Sequence, residues 1–203
     1  MFVRAIKADS GEWVLDVLGA PFYGPYGGRD AEGEYFTPDT DFWLDKIAER
    51  PILHYHGLKD RQPEVIGREL KHWIDEAGVW FQVQLDKASV TASRIWEAAQ
   101  RGVARASSGA ISHLVREQPD GRIDVWPIGE LSLMDGSVDP PANTYAVAYP
   151  AAKALYAAAG LELPEGAIPE EPEGGSVDAP ANEGPVDETY RRRVLVHLAL
   201  DEP

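Results

Sequence analysis

The apolar and polar positions of the first 160 residues fall into strand-like runs separated by turn signals, with a few helix-like stretches between them. Phe2 to Ala8 and Trp13 to Leu18 are rich in β-branched and aromatic residues, and Asp9-Ser10-Gly11 between them predicts a hairpin. Residues 21–38, PFYGPYGGRDAEGEYFTP, are dense in glycine and proline and predict an extended loop. Asp39 or Thr40 is placed to cap a short helix reaching Glu49, with Phe42, Trp43 and Ile47 on one side. Ile52 to His56, Val65 to Ile74 and Val79 to Leu85 predict strands, the last two joined across Asp75-Glu76-Ala77-Gly78. Ser89 is placed to cap a helix that runs to Gln100 and stops at Gly102. Ala104 to Arg116 and Arg122 to Met134 predict another strand pair across Gln118-Pro119-Asp120-Gly121, and Ala151 to Ala159 an alanine-rich helix ending at Gly160. About seven strands with peripheral helices predict a mainly β (α+β) fold, a mostly antiparallel barrel that is closed or partly closed.

Composition changes after Gly160. Leu161 to Glu188 holds nine acidic residues, no basic ones, five prolines and four glycines, a mixture that buries too little apolar surface to offset the entropy of ordering it. The expected organisation is therefore a domain over 1–160, a mobile acidic linker over 161–188, and a short terminal segment over 189–203. That segment begins TYRRRVLVHLAL, basic and then apolar, and is too short to be stable alone. It is expected to dock on the body or on a partner, or to be removed by self-processing.

Charge and composition narrow the chemistry. A formal net charge of −15 disfavours nucleic acid and anionic membrane surfaces as partners. No cysteine is present, so thiolate nucleophiles, disulfides, iron–sulfur clusters and cysteine zinc sites are excluded, and any nucleophile is an oxygen or an amine. The start of the chain becomes charged within four residues, and no run of about 18 apolar residues occurs, so a cytoplasmic location is expected.

Three polar groups interrupt apolar strand patterns. His54-Tyr55-His56 ends the run Pro51-Ile52-Leu53; on a strand the two imidazoles share a face, the spacing of a metal pair, although no companion ligand cluster exists. Arg105-Ala106-Ser107-Ser108-Gly109-Ala110 sets hydroxyls among small residues, leaving room for a substrate carbonyl or, equally, for close packing. Glu130 lies in Trp126-Pro127-Ile128-Gly129-Glu130-Leu131-Ser132-Leu133-Met134 and needs a partner if buried, either an imidazole or an arginine such as Arg105 or Arg116. In the order His, Ser, Glu, these segments supply the groups of a serine hydrolase: a base, a nucleophilic hydroxyl, and a carboxylate that fixes the imidazole tautomer.

The ordered blocks PILHYHG, VIGR, VQLD, RGVARASSGA and GELSLMDGSVDPPANTYA resemble the tailed-phage prohead (capsid maturation) serine proteases, relatives of the herpesvirus assemblin proteases, over roughly residues 12–148. The resemblance implies an assemblin-like barrel and selects His56 rather than His54 as base, Ser107 rather than Ser108 as nucleophile, and Glu130 as the third member of the triad. It implies a serine endopeptidase acting inside a procapsid in the host cytoplasm. Its partners would be the scaffold protein, the major capsid protein and the protease itself; a homo-oligomer stays open, and no cofactor or metal is called for. Backbone amides would form the oxyanion hole, with Gly109 a contributor. The competing classes are a non-catalytic capsid-assembly or scaffold-binding module on the same barrel, and a metal hydrolase built on His54 and His56.

Overall fold

A computed structural model describes residues 11–48, 50–57 and 63–150. Its elements are β1 (Val14–Pro21), β2 (Pro51–His54), β3 (Val65–Asp75), β4 (Gly78–Leu85), α1 (Val90–Gln100), β5 (Arg105–Ala110), β6 (Arg116–Glu117), β7 (Ile123–Val125), β8 (Ile128–Met134) and β9 (Val147–Pro150). Seven strands close a barrel in the order β1-β4-β3-β2-β8-β5-β9, and β6 and β7 form a separate two-stranded sheet. The β2–β8 pairing is parallel and the other barrel pairings are antiparallel. The fold is thus mainly β, with one α-helix among the described residues.

Alternation of residue type builds the barrel wall. Val79, Phe81, Val83 and Leu85 of β4 are buried, while Trp80, Gln82 and Gln84 between them are half-exposed. β3 and β4 meet in the expected hairpin, where Asp75 Oδ1 accepts from the Ala77 amide at 2.8 Å and from the Trp80 indole at 2.9 Å. Ser89 caps α1 as its sequence suggests, its Oγ accepting from the Ala92 amide at 3.0 Å, an interaction of about 1 kcal/mol. Ala92, Ile95, Trp96 and Ala99 then form one buried face against the core, with Trp96 stacked on Trp13 at 6.0 Å.

The structure departs from the sequence reading at three places. No helix follows Asp39 or Thr40. The Thr40 hydroxyl instead donates to the Ile123 carbonyl at 2.7 Å, and Asp41 and Phe42 run extended beside β7 and β8, with Asp41 N donating to Asp124 O and Ile128 N to Phe42 O. Trp43 then turns left-handed at φ 55°, and this pairing to a distant segment outweighs a weak local helix preference. The long pair across residues 118–121 is also broken in the middle. Pro127 has no amide to continue the ladder, its carbonyl takes the Ile111 amide at 2.9 Å, and residues 112–114 make one tight turn between β5 and β6. Finally, the strand carrying the histidines stops at His54, so His56 does not share a strand face with it. The expected strand over 2–8, the helix over 151–159, the linker over 161–188 and the segment over 189–203 lie outside the described residues.

Candidate functional site

β5 and β8 are antiparallel neighbours in the register Ser107↔Ser132 and Gly109↔Glu130. Cross-strand partners project to the same face, so Ser107, Ser132 and Glu130 stand together on one side of the sheet. The opposite face carries Ala106, Leu131 and Leu133, all fully buried in the core cluster. Gly109 admits the acid. A Cβ there would overlap the Glu130 carboxylate, with its Cδ at 2.8 Å, so the small residue makes room for the side chain across the ladder.

His56 reaches the same face by a reversal of the chain. β2 runs parallel to β8 with Ile52↔Leu131, Leu53↔Ser132 and His54↔Leu133, and a continued strand would carry residue 56 past the end of β8. Tyr55, His56 and Gly57 instead take φ of 47°, 55° and 67°, a left-handed turn that brings His56 back over Ser132 and Glu130. Such backbone costs roughly 1–2 kcal/mol for each non-glycine residue and must be held from outside. The His56 amide donates to Ser132 Oγ at 2.7 Å, and the Tyr55 hydroxyl donates to Asp139 Oδ2 at 3.2 Å. At Gly57 a side chain would run into Pro63.

The contact that follows is short and enclosed. His56 Nδ1 lies 2.5 Å from Glu130 Oε1, and Ser132 Oγ donates to Glu130 Oε2 at 2.7 Å. His56, Glu130 and Ser132 are 6%, 3% and 0% exposed, so water does not compete for these bonds. A carboxylate only accepts, which assigns the proton to Nδ1 and leaves Nε2 of the neutral ring as a lone pair. That Nε2 is buried and has no hydrogen-bond partner among the described residues. Of the two partners foreseen for Glu130, the imidazole is the one observed, and neither Arg105 nor Arg116 reaches it: Arg105 donates to backbone carbonyls.

The two serines lie on opposite faces of β5, although both line one cleft. Ser108 points to the other face, is 6% exposed, and accepts from the Trp126 indole N–H at 3.2 Å. Ser107 is half-exposed and also lines a cleft whose wall includes Asp30, Glu32, Glu34 and Glu117 beside Phe36 and Trp126. His56 and Glu130 do not line that cleft. Ser107 is therefore the residue at which the cleft and the His56–Glu130 face meet. Within the wall, burial raises the Asp30 carboxyl above its ordinary value, partly offset by the amides of Glu32, Glu34 and Gly33.

His54 belongs to a different cluster. Its Nε2 is 3.9 Å from Asp135 Oδ1, while Arg94 Nε contacts Asp135 Oδ2 at 3.1 Å and Ser137 donates to Oδ1. The two imidazoles thus face different carboxylates, and no group of three or more histidine, aspartate or glutamate side chains placed to hold a metal occurs among the described residues. Sequence reasoning missed Ser132 as part of the site, and it missed that Gly109 makes room for the Glu130 side chain. The available signal was their position, two residues from Glu130 on one strand and opposite it in a neighbouring one, legible only once the pairing is known. No family model, curated protein or solved structure matches the chain.

Proposed function

We propose that this protein is a serine endopeptidase of the prohead protease type, with Ser107 as nucleophile, His56 as general base and Glu130 as the carboxylate that orients the ring. The observation that carries the reading is the buried 2.5 Å contact of His56 Nδ1 with Glu130, on the sheet face that also bears Ser107. In this reading Ser107 Oγ attacks the scissile carbonyl while His56 Nε2 takes its proton, then returns it to the leaving amine. Glu130 keeps the tautomer and stabilises the imidazolium in both steps. Water repeats the sequence on the acyl-enzyme. The exclusion of Ser108 from this face by register, and its engagement by Trp126, support Ser107 as the nucleophile.

The closed seven-strand barrel is compatible with an assemblin-like fold, and the acidic cleft that Ser107 helps line supports a route for an extended peptide to the hydroxyl. The substrates in this reading are the scaffold protein, the arm of the major capsid protein and the protease's own tail, cleaved inside the procapsid. Treatment of the full chain with a fluorophosphonate, followed by peptide mapping, tests the chemistry directly. An adduct on Ser107 that is lost in His56→Ala is expected. Absence of any adduct, with scaffold bound but uncleaved, would establish the non-catalytic assembly module instead.

A further inference from the structure

We propose that Ser132 is a positioning residue for His56, holding it at two points at once; the inference rests on the reading of His56 as the base. Ser132 Oγ accepts the His56 backbone amide at 2.7 Å and donates to Glu130 Oε2 at 2.7 Å, while Glu130 Oε1 meets His56 Nδ1 at 2.5 Å. The three residues form a closed circuit: His56 main chain to Ser132, Ser132 to Glu130, Glu130 to the His56 ring. One hydroxyl thereby fixes both the left-handed backbone of His56 and the rotation of the carboxylate that aims its ring.

The chemistry of the position restricts what can stand there. A hydroxyl both donates and accepts through one atom, and the circuit uses both capacities. Alanine leaves the amide and one carboxylate oxygen unmatched in a place with no exposure, where water has no access to replace the bond. Ser132 also stands directly across the ladder from Ser107, so it sets the separation between base and nucleophile without touching a substrate. Misplacing a reacting group by about 1 Å costs up to roughly a hundredfold in rate.

The test compares wild type, Ser132→Ala and Ser132→Thr as full-length proteins, with two readouts. The first is the rate of Ser107 modification by a fluorophosphonate. The second is the far-downfield proton resonance of a carboxylate-bonded His56 Nδ1–H, assigned by its loss in His56→Ala. Ser132→Ala is expected to slow modification between about tenfold and a hundredfold and to shift or broaden that resonance. Ser132→Thr, which keeps the hydroxyl, is expected to restore both. If Ser132→Ala does not fold, Ser132→Cys, a weaker donor of similar size, takes its place with the same expectation. An unchanged resonance in folded Ser132→Ala, or Ser132→Thr as slow as Ser132→Ala at wild-type Tm, overturns the proposal. If wild type is not modified at Ser107 at all, the protease reading fails, and the resonance alone still decides whether Ser132 holds His56.

Discussion

Trp126 donates its indole N–H to Ser108 Oγ at 3.2 Å, which ties the second serine of the pair to the sheet face opposite His56. Adjacent residues of a strand face opposite sides, so Ser107 and Ser108 cannot both approach His56. Ser107→Ala is expected to abolish fluorophosphonate modification while leaving Tm within a few degrees of wild type. Ser108→Ala is expected to keep modification but lower stability by about 1 kcal/mol, the worth of one buried hydrogen bond. Retained modification in Ser107→Ala with loss in Ser108→Ala would reverse the assignment.

Gly109 separates steric from catalytic effects. A methyl group there overlaps the Glu130 carboxylate, whose Cγ and Cδ would lie 2.9 and 2.8 Å from it, so the acid must swing away from His56. Gly109→Ala is expected to cost about 1–3 kcal/mol of stability by overpacking, and to reduce the modification rate of Ser107 by at least about tenfold as the ring loses its partner. Denaturation and labelling measured on the same preparation check both. A variant that labels at the wild-type rate would show that the carboxylate does not orient the base.

What the sequence showed and what it hid follow from the range of the interactions involved. The β3–β4 hairpin and the Ser89-capped helix were legible because a turn residue or a cap acts within a few positions of itself. Glu130 was legible as an anomaly, since a charge inside an apolar strand demands a partner, and His56 and Ser107 were reached through resemblance to a family. Ser132 was not legible as part of the circuit: its partner His56 is 76 residues away, and the bond exists only because β2 pairs parallel with β8 and then reverses. Thr40 misled for the same reason. A threonine before an apolar stretch has the look of a cap, and its bond to Ile123, 83 residues on, leaves no local trace.

Arg50 is a second non-local feature, and its removal is expected to damage the fold more than the substitutions at Ser108 or Gly109. Its side chain is 1% exposed, donates to the Ile128 carbonyl at 3.0 Å and the Leu44 carbonyl at 2.8 Å, and pairs with Glu69 at 3.1 Å. It ties the start of β2 to β8 and β3 on the sheet that presents His56 and Glu130. Arg50→Met leaves the carbonyls of Ile128, Leu44 and Trp43 and the Glu69 carboxylate short of donors, a loss of about 3–5 kcal/mol by chemical denaturation. Arg50→Lys is expected to recover little, because an ammonium cannot span the positions the planar guanidinium serves. Near-wild-type stability of either variant would mean that water replaces the guanidinium.

Asp135 supplies the pH dependence. Burial pushes its carboxyl up, but the hydroxyl and amide of Ser137, then Arg94 and His54, outweigh this and hold it below its ordinary value of 3.8. An acid with a depressed folded-state pKa binds protons less readily folded than unfolded. Its stabilising contribution is therefore complete above the unfolded value and is lost as pH falls through the folded one. Asp30, raised by burial, works in the opposite sense and gains stability as it protonates on acidification, so the wild-type curve alone mixes the two signs. The informative quantity is the difference in unfolding free energy between wild type and Asp135→Asn, followed from neutral pH down past 3.8. It is expected to be steady at neutral pH and to shrink below the unfolded value, because protonated Asp135 and asparagine are both uncharged opposite Arg94. A difference that stays constant through the acid range would show that the Asp135 charge contributes nothing to holding β8 against α1.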